Sequence, residues 1–133
     1  MNILEEWLEN ATENIKSADK LNGRPSGVMS GLRNLQLRLN PLILANVDPR
    51  TRFMAYFLSC YVDTVLMDLC GDTPDDGDGK LKNVRDVFFE KITQDFEKLV
   101  SCLKNNEDPL PIFEDFVVLY TQAVNKLNYL DNQ

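Results

Sequence analysis

Asp48-Pro49-Arg50-Thr51-Arg52-Phe53-Met54-Ala55-Tyr56-Phe57-Leu58 opens a stretch that runs on to Leu69-Cys70-Gly71 and decides the fold class. The Asp-Pro pair is a helix start: the aspartate caps free N–H groups and the proline fits the first helical position. Gly71 is a natural residue just past a helix end. Between them Phe53, Met54, Phe57, Leu58, Tyr61, Val65 and Leu69 recur at helical spacing. Their broad apolar face predicts the most buried helix of the chain. Asp63 and Asp68 within it argue for a core helix, not a membrane span.

Downstream, Gly71-Asp72-Thr73-Pro74-Asp75-Asp76-Gly77-Asp78-Gly79 reads as loop. A fourth helix is expected from Lys80 to Lys104, with Val84, Phe88, Ile92, Phe96, Leu99 and Leu103 on its apolar stripe. Lys82–Asp86 and Lys91–Asp95 have the i,i+4 spacing of ion pairs and are expected on its outer side. Asp108-Pro109 repeats the start signal. The fifth helix should reach Leu130 with Phe113, Phe116, Val117, Tyr120, Val124 and Leu127 inward.

Upstream, Leu4, Leu8, Ala11, Ile15 and Ala18 form a continuous stripe and predict a first helix from Asn2 to Lys20. Leu21 to Gly27, rich in glycine and holding Pro25, is a break. Residues 28–39 are ambiguous. Val28, Leu32, Leu35 and Leu39 fit a helix, while Leu35-Gln36-Leu37-Arg38-Leu39 alternates like a strand. A lone strand would lack a partner, which favours the helix. Asn40-Pro41 is expected to end it or to restart a short turn through Leu42-Ile43-Leu44. The expectation is all-α: a single domain over residues 1–133, an up-down bundle of four long helices with one shorter helical insert after the first helix.

The 133 residues include no histidine, are 44% hydrophobic and 26% charged, and carry a net charge of −7. That composition is globular, and the acidity disfavours duplex nucleic acid and anionic lipid as partners. Cys60, Cys70 and Cys102 form no C-x-x-C pair and read as small buried thiols of a reducing, cytoplasmic compartment. Glutamates close behind Met1 and the lack of an apolar run there argue against a signal peptide. Charge is unevenly spread. Residues 1–15 hold four acids and no base, residues 16–52 seven bases against two acids, and residues 53–133 fifteen acids against seven bases.

Three segments are candidate ligand sites. The 72–83 loop fits a calcium-binding EF-hand at Asp76 and Gly77 but has Pro74 where an oxygen ligand is required and Asn83 where a bidentate glutamate is required, so a solvated turn is the better account. Gly23-Arg24-Pro25-Ser26-Gly27-Val28-Met29-Ser30-Gly31 is a possible anion loop before a helix. It lacks the lysine of a phosphate loop and reads as a connector. Glu5-Glu6-Trp7-Leu8-Glu9 resembles the first carboxylate element of the all-α nucleotide pyrophosphohydrolases. That resemblance implies Mg²⁺ held by carboxylates on facing helices. The second E-x-x-D element is absent from the third helix, and no catalytic residue carries over.

With no cofactor motif and no activated nucleophile, the expected function is a non-enzymatic protein–protein interaction module, a helical adaptor, regulator or inhibitor. Its partner surface is expected to include Arg24, Arg33, Arg38, Arg50 and Arg52, whose planar guanidinium groups suit an acidic partner. The alternative for those arginines is pairing with acidic helices of the same chain. Trp7 reads as core, or as the edge of an apolar face that meets a partner. A homodimer is compatible with either role. The competing function is a metal-dependent enzyme acting on a nucleotide or other phosphorylated small molecule through acidic residues.

Overall fold

The structure, a computed structural model, describes residues 4–10, 12–13, 26–45, 48–69 and 80–131, with the side chains of 26–29, 82 and 131 excluded. The described residues are helical apart from short turns, and no strand occurs among them. We label the helices α1 (residues 4–10, with 12–13 also helical), α2 (Ser26–Leu44), α3 (Pro49–Leu69), α4 (Lys80–Lys104) and α5 (Leu110–Asp131). The chain divides into two compact units, Met1–Cys70 and Gly71–Gln133.

In the first unit, Leu4 and Leu8 of α1 are buried, as their stripe predicts. Ala11, Ile15 and Ala18 lie outside the described residues. The 28–39 ambiguity resolves as helix. Leu35 and Leu39 are 2% and 0% exposed while Leu37 is 70% exposed. A strand would put all three on one face, whereas on a helix Leu37 turns about 160° away from the face shared by its neighbours.

Two expectations for this stretch are corrected. Ser26 to Gly31, read as part of a break and a possible anion loop, lie in the first turns of α2. Pro41 does not end the helix, which continues through it to Leu44. Proline has no N–H for the Leu37 carbonyl. However, Leu42 lies one turn beyond Leu39 on the buried face, and that burial holds the final turn against the local cost.

α2 and α3 run antiparallel through a polar seam. Ser59 Oγ donates to Asn40 Oδ1 at 2.6 Å, and Gln36 Nε2 donates to Asp63 Oδ1 at 2.6 Å. The α3 start is built as expected. Asp48 Oδ1 accepts from the Thr51 N–H at 2.9 Å and Oδ2 from the Thr51 hydroxyl at 2.7 Å. These two bonds, the hydroxyl's first, hold the Asp48 carboxyl below its ordinary pKa.

In the second unit, α4 and α5 form an antiparallel hairpin around Phe96 and Phe116, whose ring centroids are 5.2 Å apart. The connection is a left-handed cap. Asn106 has φ 55°, the Asn106 N–H reaches the Leu103 carbonyl at 3.2 Å and the Glu107 N–H reaches that of Cys102 at 2.9 Å. These are the paired bonds of a Schellman end, with asparagine in the place glycine prefers. Asp108 then accepts from the Leu110 N–H at 3.1 Å and starts α5.

Side-chain placement corrects the sequence reading at four more points. Phe53 and Val117, expected inward, are exposed. Cys60, read as a buried thiol, is exposed, while Cys102 is buried. Asp95, expected on the outer side of α4, is 3% exposed. It occupies a position of the apolar stripe itself: Phe88, Ile92, Asp95, Leu99 and Cys102 follow 4-3-4-3 spacing and lie on one helix face.

Candidate interaction surface

The unusual element is α3, which is apolar on both sides. Its buried residues, from Tyr61 round to Ser59, cover about 160° of arc. The opposite side carries Phe53, Tyr56, Phe57, Cys60, Thr64 and Met67 within about 100° of arc. Phe53 is 63% exposed and Met67 78%, Tyr56 and Cys60 are also exposed, and Phe57 is half-buried. A row of large apolar side chains facing water along about four helical turns is what an unpartnered contact surface looks like, since isolated exposed hydrophobics are ordinary but contiguous ones are not.

The five arginines proposed from the sequence do not gather at one point. Arg24 lies outside the described residues. Arg33 and Arg38 are exposed on α2 but five positions apart, which turns them about 140° from each other. Arg38 lines a cleft of about 300 Å³ together with Trp7 of α1 and Asn34 and Leu37 of α2. Arg50 is exposed in the first turn of α3, one turn before Phe53. Arg52 is exposed, and its Nη2 donates to the Ala45 carbonyl at 2.9 Å, closing the end of α2. The apolar face, which the sequence reading treated as core, is therefore the larger continuous feature. A signal for it was present: Phe53, Cys60 and Met67 recur every seven residues, with Tyr56 and Phe57 between them.

The second unit holds a group that the sequence reading missed. Burial, with the Asp115 carboxyl beside it, pushes the Asp95 carboxyl up to about 7, against a pull downward from Lys98. Lys98 Nζ stands 3.7 Å from Asp95 Oδ1, while Asp95 Oδ2 finds no donor. Two carboxyls can share a hydrogen bond only when one carries a proton, so the neighbouring Asp115 favours the protonated form of Asp95. Further along the α4/α5 groove a cleft of about 170 Å³ has an apolar floor that includes Val84 and Phe88, with Lys91 and Lys126 at its edge.

No three His, Cys, Asp or Glu side chains converge among the described residues to form a metal site. Glu5, Glu6 and Glu9 fall in α1 and belong to no such group among the described residues. The 72–78 acidic loop lies outside the described residues. No helix is long and apolar enough to cross a membrane, judged on the described residues. Compared with known proteins, the chain matches no family model, no curated protein and no solved structure.

Proposed function

We propose that this protein is a non-enzymatic interaction module that binds a protein partner through the outward face of α3. The observation that carries this reading is the exposure of Phe53, Tyr56 and Met67 on one side of a helix whose other side is fully buried. Desolvating such a row on association is favourable at about 25 cal/mol per Å² of apolar area. Aromatic and methionine side chains are also the types enriched in interface cores. Arg50 at the head of the row supplies a basic group at its edge and favours a partner with acidic groups around an apolar centre.

The test compares capture by the native chain with capture by two variants. Phe53→Glu together with Met67→Glu should abolish partner binding while the helical circular dichroism is unchanged. Arg50→Glu should reduce it by about tenfold. Undiminished capture by the first variant removes the α3 face from consideration.

The enzymatic alternative keeps one observation in its favour. A buried carboxyl that titrates near neutrality, beside a second carboxyl, is the kind of group that performs general acid–base work. Calorimetry with Mg²⁺, Mn²⁺ or Ca²⁺, with and without nucleotides, tests it. A flat trace in every titration ends that reading.

A further inference from the structure

We infer that the partner of the α3 face is a second copy of this chain, docked with the two α3 helices antiparallel across a twofold axis. The inference rests on the reading of that face as an interaction surface and assigns its occupant. Isologous pairing asks one patch to complement itself, and this patch has a polarity that allows it. The apolar row spans Phe53 to Met67, about 21 Å along the axis, with Cys60 at its midpoint. Arg50 lies beyond its N-terminal end, and Asp63 and Asp68 lie toward its C-terminal end, all three exposed.

Full antiparallel overlap sets Phe53 against the second copy's Met67, a favourable ring–sulfur contact. It sets Arg50 near the second copy's Asp68, and Cys60 near Cys60. Parallel pairing would instead bring the two Arg50 ends together and the two Asp68 ends together, which like-charge repulsion opposes. Arg50 and Asp68 each also have partners within their own chain. Attraction across the axis adds to those contacts and does not require them to break. The alternation of a large side chain at Phe53 and Met67 with the small Cys60 at the centre also lets the two backbones approach closest at the axis, where the opposing thiols take little room.

One contact row of this length lies at the low end of stable interfaces, so the dimer should be weak and concentration-dependent. Sedimentation of the full chain from about 5 to about 500 μM should show a monomer–dimer equilibrium in the micromolar range. Phe53→Glu should raise its dissociation constant at least about tenfold. A variant with Cys70→Ser and Cys102→Ser keeps only the exposed Cys60, and a short bismaleimide should link it into a covalent dimer.

Orientation is read from two mixtures. In a background that also has Cys60→Ser, Phe53→Cys should link to Met67→Cys and not to itself, whereas parallel pairing reverses that pattern. Arg50→Glu and Asp68→Lys should each weaken self-association, and mixing the two should restore it in the heterodimer. A chain that stays monomeric at the highest concentration overturns the inference. If such a monomeric chain still captures another protein in a manner lost with Phe53→Glu, self-pairing falls while the interaction reading stands. If neither occurs, both fall.

Discussion

Asp95 is the residue whose setting has the clearest consequence. Its folded-state pKa lies near 7, above the 3.8 of a free aspartate. Between those values the folded chain keeps a proton that the unfolded chain has lost. Stability is therefore greatest at or below the lower value and falls as pH rises through the upper one. The ionised Asp95 carboxyl is thus a stability penalty at pH 8. Asp95→Asn removes it: the variant should unfold at higher denaturant concentration than the native chain at pH 8, and its midpoint should change little between pH 5 and 8. An unchanged pH profile would show that the carboxyl is solvated and ordinary. Asp48 works in the opposite sense. Its lowered pKa means that its capping contribution is present above the unfolded value and is lost as the cap is protonated in acid. Asn106, at φ 55°, is a third residue whose conformation has an energetic cost. Asn106→Gly should be neutral or stabilising by about 0.5 kcal/mol, and Asn106→Val should cost about 1–2 kcal/mol, read from urea midpoints.

At the scale of elements, start signals translated directly into structure, because a cap acts within one turn and needs nothing distant. Asp48-Pro49 and Asp108-Pro109 both begin helices where the sequence places them. Stop signals were less reliable. Pro41 is overridden because Leu42 is buried, and tertiary burial of a leucine outweighs one lost backbone bond. Pro41 is exposed, so Pro41→Ala should restore the bond to the Leu37 carbonyl without disturbing packing. It should stabilise the chain by about 1–2 kcal/mol, seen as a higher thermal midpoint. In the α4/α5 hairpin, Phe116 is fully buried against Phe96. Phe116→Ala should cost about 3–5 kcal/mol by calorimetry or denaturant titration. Val117, next in sequence, is exposed and its change to alanine should cost well under 1 kcal/mol.

At the scale of the whole molecule, the net charge of −7 sets how copies meet. Two such chains repel at long range, and salt shortens that repulsion to about 10 Å at 0.1 M. Self-association through the α3 face should therefore strengthen between about 20 and about 200 mM salt. A weakening over that range would mean that the Arg50–Asp68 attraction outweighs the net repulsion. Cell compartment belongs to the same scale, and the cysteines bear on it unequally, with Cys60 exposed and Cys102 buried.

Helicity, the starts of α3, α4 and α5, and most of the residues on their buried stripes are written in the order of the amino acids alone. Periodicity and capping are local, and a helix satisfies its own backbone within four residues. Which of the two apolar faces on α3 is covered was set by packing in three dimensions. It alone turned Asp95 inward beside Asp115, and it alone kept α2 intact through Pro41. Each of these depends on what other segments bring close in space, and one-dimensional spacing assigns a residue to a face without saying what that face meets.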